Sequence, residues 1–115
     1  MAAAKANYWQ RGETIDFFNN TNAKIEANTV VLLGKRIGIA GTDIQAKEAG
    51  TLHITGVYKF PKAASQAVTA GALVYWDNAE NNITTTESSN TLAGFAVEAA
   101  GADDATVTVK DQCVS

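Results

Sequence analysis

The sequence predicts an all-β protein. It reads as a small β-barrel or sandwich of short antiparallel strands, with a flexible N-terminal arm and at most short helical turns. Three observations predict it. Apolar residues alternate with a period of two along several runs, and helical periodicity is hard to find. The runs are short and are separated by turns rich in Gly, Asn and Asp, the spacing of sandwiches and barrels. The composition, 46% hydrophobic and 18% charged, is that of an ordinary globular chain.

The clearest run is Thr51 to Phe60. Leu52, Ile54, Tyr58 and Phe60 point one way, and His53, Thr55, Val57 and Lys59 the other. Gly56 in its middle signals a bulge, a bend or a close backbone neighbour. Pro61 ends its ladder, having no N–H to donate. Shorter strands are expected at Thr14 to Asn19, Val30 to Leu33 and Ile37 to Ala40. The last two form a hairpin around Gly34-Lys35-Arg36. Leu73 to Asp77 and Ile83 to Thr86 flank the polar turn Asn78 to Asn82. Leu92 to Glu98 and Thr106 to Lys110 flank Gly101 to Asp104.

Helical turns are expected in two places. Lys62 to Val68 follows Pro61 and is stopped by Gly71. Ile44 to Glu48 has Asp43 as its N-cap. No internal repeat is evident at a fixed period.

The 115 residues divide into an arm, 1–12, and a single β-domain, 13–115. A domain of this size buries about two-thirds of the surface its unfolded chain exposes, so no metal or disulfide is needed to fold it. Much of the apolar fraction is alanine, so the core is light and can lean on partner subunits. Tyr8 and Trp9 are two large aromatics on an arm without periodicity, and such residues have somewhere to dock.

Charge argues against nucleic acid as a partner. The formal net charge is −3 and the nine Lys and Arg are scattered, with only Lys35-Arg36 adjacent, so there is no basic stripe. No apolar run reaches the roughly eighteen residues of a membrane span. The start, MAAAKANYWQRGE, has no secretory h-region, so synthesis in a cytoplasm is expected.

Catalytic and metal grammar is missing. Gly34-Lys35 is followed by Arg36, and Thr29 stands where a Walker A loop needs its first glycine. The run from Asp77 to Ser88 puts Ala79, Asn82 and Ser88 at the third, sixth and twelfth places, where a calcium loop needs a liganding side chain, Gly and Glu. His53 is the one histidine and Cys113 the one cysteine, too few soft ligands for structural zinc. Neither has a partner to make it a base or a nucleophile. Glu98 lacks a second positioned carboxylate. No cofactor, metal or enzymatic activity is therefore expected. Tyr75 and Trp76 are adjacent on a strand and face opposite sides, one to the core and one to an interface, which disfavours a flat stacking platform for sugars or bases.

The runs GVYKFPKA (Gly56 to Ala63) and VYWD (Val74 to Asp77) resemble the small phage proteins described as capsid cement or decoration proteins. They stand with GIAGTDIQAKEAGTLHIT before them and ITTT, LAGFAVEAA and TVTVK after them. The resemblance runs from about Tyr8 to Lys110. Some of those proteins carry a recombinase label, which these residues do not support, since the ATP-binding loop is absent. The resemblance implies a structural virion protein, of phage or prophage, that binds the outside of an expanded head. It implies the major capsid protein as partner and self-association as a trimer. Tyr8 and Trp9 then dock on capsid, while Tyr58, Tyr75 and Trp76 consolidate core and subunit boundary. The alternative, from a different class, is a carbohydrate- or host-surface-binding module displayed on the virion.

Overall fold

A computed structural model describes residues 4–7 and 12–111, and these residues are all-β with no helix. They form nine strands: β1 (Thr14–Phe18), β2 (Val30–Leu33), β3 (Arg36–Ala40), β4 (Ala49–His53), β5 (Gly56–Pro61), β6 (Leu73–Asp77), β7 (Asn82–Thr84), β8 (Thr91–Ala96) and β9 (Thr106–Asp111). The first sheet has the order β1-β4-β3-β2 and the second β5-β9-β8-β6-β7. Every ladder is antiparallel. The sheets stack as an open sandwich. A single parallel bridge from Lys62 to Ile83 brings the end of β5 to β7 without closing a barrel.

The main core lies between the sheets. Ile37 and Ile39 of β3 pack on Phe60, Val74, Trp76, Ala93, Ala96, Val107 and Val109 of the second sheet. A smaller cluster lies on the other face of the first sheet, where Ala40, Ile44 and Leu52 are joined by Ile15, Phe17, Ile25 and Val31. β3 is therefore covered on both faces, and Ile37, Gly38, Ile39 and Ala40 are all buried. A strand packed on both faces needs this unbroken apolar run rather than alternation.

Three expectations are corrected. The long run Thr51 to Phe60 is two strands, with a break at Ile54–Thr55, and they belong to different sheets. Gly56 marks the break with φ of 134°, a backbone that side chains rarely adopt. Leu52 thus lies in the small cluster, while Tyr58 and Phe60 face the main core. The segments read as helical turns are bridges and tight turns instead. Ile44 pairs with Ile25, and Lys62 and Val68 pair with Ile83 and Ala100. Asp43 caps no helix: its Oδ1 accepts from the Ala27 N–H at 2.8 Å. Pro61 does not end the pairing either, since the Lys62 N–H beyond it donates to the Ala105 carbonyl at 2.9 Å.

The hairpin around Gly34 forms as expected. Leu33 pairs with Arg36 across Gly34-Lys35, and Gly34 takes φ of 63°. The Asn78–Asn82 turn is held by Asp77, whose Oδ1 accepts from Ala79 and Glu80 N–H at 3.0 and 3.1 Å.

The two sheets share one connection pattern. In each, the first strand lies beside the last, then the third, then the second; β7 is an extra strand added after β6. The extra strand shifts the spacing between equivalent residues partway through, so the repetition has no fixed period in the sequence.

Candidate functional site

The second sheet has one face in the core and one outward. The outward face carries a lateral row across four strands: Leu73 opposite Phe95, Phe95 opposite Lys110 and Lys110 opposite Val57. Val57 is 56% exposed and Leu73 51%. Val97 extends the band beyond β8, where its N–H donates to the Thr108 carbonyl at 3.0 Å. Tyr75 and Leu92, opposite each other, add a second, partly buried pair. Strand alternation creates this face, since each core residue of β5, β6, β8 and β9 has neighbours that point away. Exposed apolar side chains gathered on one face in this way mark interaction sites. Lys59 and Lys110 interrupt it with cations.

The aromatic residues singled out by the sequence separate. Tyr8 and Trp9 lie outside the described residues. Trp76 is 4% exposed in the main core, with its ring 6.1 Å from that of Phe60 and its Nε1–H donating to Asn78 Oδ1 at 3.0 Å. Tyr75, one residue earlier, faces outward beside Leu92 and Lys35. Tyr58 packs edge-on against Phe60, centroids 6.3 Å apart, with its hydroxyl 3.4 Å from the Thr55 carbonyl. The arrangement brings Tyr58 and Trp76 to the same core through Phe60, and leaves Tyr75 on the outward band.

Among the polar centres that sequence reasoning missed, two belong to the second sheet and its loops. Lys62 is buried, and its Nζ donates to the carbonyls of Ala63, Gln66 and Ala102 at 2.8, 2.6 and 3.4 Å. It ties the segment after β5 to the loop before β9. Three ammonium protons meeting three carbonyls make burial of the charge tolerable. A Lys directly after Pro61 at a strand end looks solvent-facing by composition, so nothing in the local sequence marked it as buried.

Asp111 is the second. It is 3% exposed, and its Oδ2 has no hydrogen-bond partner among the described residues. It pairs across the ladder with both Gly56 and Gly94. Burial pushes its carboxyl up to about 7, against the opposing pull of Lys110. The Tyr58 hydroxyl is raised too, by burial first and then by the charge of Asp111.

His53 sits half-buried on β4, with Nε2 where a side chain on Gly41 would have to go. Glu98 is exposed, and Cys113 lies outside the described residues. Among the described residues no group of three His, Cys, Asp or Glu is placed to hold a metal, and no helix is long and apolar enough to cross a membrane. A groove of about 490 Å³ is lined by Asp77, Asn78, Glu80, Asn82 and Thr84 among others; no aromatic ring lines it.

No curated protein and no solved structure matches the chain. A family model described as phage cement protein matches residues 9–111, nearly the whole length, and the chain belongs to that family.

Proposed function

We propose that this protein stabilises a phage or prophage head as a decoration protein, clamping neighbouring copies of the major capsid protein from outside and assembling as a trimer. A structural, capsid-stabilising role and a place on the virion capsid come with the family. The finer reading rests on one observation, the exposed apolar band Val57–Phe95–Leu73 on a sheet face with no reactive constellation beside it. The protein works through its surfaces, without catalysis and without a nucleic-acid partner. The physics is mass action: a molecule that binds only the assembled lattice shifts the equilibrium toward it. Several weak contacts from one oligomer add avidity without any strong single contact.

The single β-domain of residues 13–115 supplies the rigid body. The arm, residues 1–12, supplies Tyr8 and Trp9 for capsid, by adding a strand to a sheet edge. Tyr58, Trp76 and Tyr75 hold the body and its boundary together.

The test mixes the protein with expanded heads and follows it by co-sedimentation and electron microscopy. The full chain is expected to decorate the heads and raise the temperature at which they lose DNA; heads left bare overturn the reading. Removing residues 1–12 is expected to abolish binding while the far-UV circular dichroism stays unchanged. Undiminished binding by the truncated protein overturns the role of the arm.

A further inference from the structure

We infer that a second copy of this chain seats its first sheet on the outward band of the second sheet, repeating between chains the contact that joins the two sheets within one chain. This deepens the self-association proposed above, and it is carried by a separate observation, an internal duplication.

The duplication is visible bond by bond. In the first half Val30 pairs with Ile39 and Val31 with Gly38; in the second Leu73 pairs with Phe95 and Val74 with Gly94. Ile15–Leu52 and Ala40–Leu52 match Tyr58–Val109 and Ala96–Val109. The bridge Ile25–Ile44 matches Val68–Ala100, each with two reciprocal N–H···O bonds of 2.7 to 2.9 Å. Asn19 N–H to the Glu48 carbonyl matches Lys62 N–H to the Ala105 carbonyl. The buried nitrogens agree as well. Asn19 Nδ2 donates to the carbonyls of Ala23 and Gln45, and Lys62 Nζ to those of Gln66 and Ala102.

The correspondence assigns each face a counterpart. Val30, Ile37 and Ile39 form the front of the first unit. They are packed in the main core, against the back of the second unit: Tyr58, Phe60, Val74, Trp76 and Val109. Val30 and Ile39 share a cleft of about 280 Å³ with Tyr58 and Phe60. The front of the second unit is the equivalent row of Leu73 and Phe95, and it is the outward band. The back of the first unit is the equivalent of the core-facing surface: Ile15, Phe17, Val31 and Leu33. No sheet covers it among the described residues. Ile44 and Ile25 lie over its middle, Ile15, Phe17 and Val31 are only partly buried, and Leu33 is exposed.

Each chain therefore carries one satisfied front-to-back contact, one spare front and one spare back. A front-to-back contact is heterologous, so it closes into a ring when its rotation allows. Charge supports the same occupant. Lys59 and Lys110 flank the spare front, while the loops over the spare back carry three acids, Glu26, Asp43 and Glu48, against two cations, Lys24 and Lys47.

The test uses complementary variants of the full chain. Val57→Asp with Leu73→Asp spoils the front, and Ile15→Asp with Leu33→Asp spoils the back. Sedimentation velocity is expected to find each alone weakened at least tenfold in self-association, and their mixture capped at a one-to-one dimer. A front variant that assembles like the native chain, or a back variant that still self-associates through two fronts, overturns the inference.

A second measurement covers misfolding and covers a chain that assembles only on heads. Phe95→Cys and Ile15→Cys, each on a Cys113→Ser background, are mixed in solution and on expanded heads and treated with a short bis-maleimide. The mixed pair is expected to cross-link and each variant alone is not. No mixed cross-link in either setting, with the native chain co-sedimenting with heads, overturns the inference and spares the cement reading. Cross-linking without head binding overturns only the cement reading.

Discussion

Set side by side, the two halves of this molecule build the same hydrogen-bonded frame from different side chains. At the position where the first strand of each half ends, the first half buries Asn19 and the second buries Lys62. One is a neutral amide and the other an ammonium, yet each reaches carbonyls in the same two loops. What the position requires is donors aimed at otherwise orphaned carbonyls, because an unpaired buried acceptor costs about as much as a lost hydrogen bond. The frame fixes the demand, and more than one side chain meets it. The halves differ more sharply where a backbone approach leaves no latitude.

Gly38 and Gly94 occupy equivalent places, and they give the largest test of the comparison. A Cβ on Gly94 would lie 1.9 Å from the Lys110 carbonyl oxygen, at φ of 152°. A Cβ on Gly38 would meet the Leu52 side chain at 3.0 Å, with no such backbone strain. Gly94→Ala is expected to cost more than about 4 kcal/mol and to prevent folding, because backbone must move. Gly38→Ala is expected to cost about 1–2 kcal/mol, since Leu52 can give way. Urea titrations of both variants check this, and equal costs would break the asymmetry.

The buried nitrogens come next. Lys62→Ala strips donors from three carbonyls and is expected to cost about 3 kcal/mol; Asn19→Ala is expected to cost about 2 kcal/mol. Thermal melts that leave either variant at native stability would show that water replaces the side chain. Lys62→Asn, which installs the first half's amide in the second, sharpens the comparison. It is expected to lose less stability than Lys62→Ala, because the amide brings two N–H donors to the three carbonyls that Lys62 serves.

The smallest effect concerns pH. Asp111 stands where the first half has Ile54, so a carboxyl occupies an aliphatic place. A carboxyl whose folded pKa is raised to about 7 binds its proton more tightly in the folded state than in the unfolded one. Its stabilising contribution is complete below about pH 4 and is lost as pH rises through about 7. Asp111→Asn is expected to flatten that slope and to gain on the order of 2 kcal/mol at pH 8 relative to native. Parallel slopes for native and variant between pH 4 and 8 would remove Asp111 as the cause.

Much of this fold was legible because strands announce themselves locally. Val30 to Leu33, Ile37 to Ala40 and Leu73 to Asp77 were bounded to within a residue, since Gly34 and the Asn78–Asn82 turn punctuate them. The opposite facing of Tyr75 and Trp76 followed from alternation alone. At Ile54–Thr55 Gly56 signalled a bend but not a change of sheet, because the apolar pattern continues in phase across two strands that part into different sheets. Lys62 and Ile44 misled for a related reason. Residues flanking a tight turn look helical or solvated until their cross-chain partners are known. The outward band was hidden too: Leu73 and Phe95 read like any core-facing residues, and Val57 like a lone apolar residue on a polar face, until the register puts them in one row.

By itself the sequence determined the fold class, most strand positions and membership in a family of structural phage proteins. Each is set by local pattern: period-two apolar residues, turn glycines and a signature around Gly56 to Ala63. Only the tertiary structure decided which alternating face met the other sheet and which stayed in solvent, and that the two halves are one design used twice. Alternation gives every strand two faces but does not say which one is covered. That depends on contacts between residues far apart in the chain, and those contacts exist only once both sheets have formed.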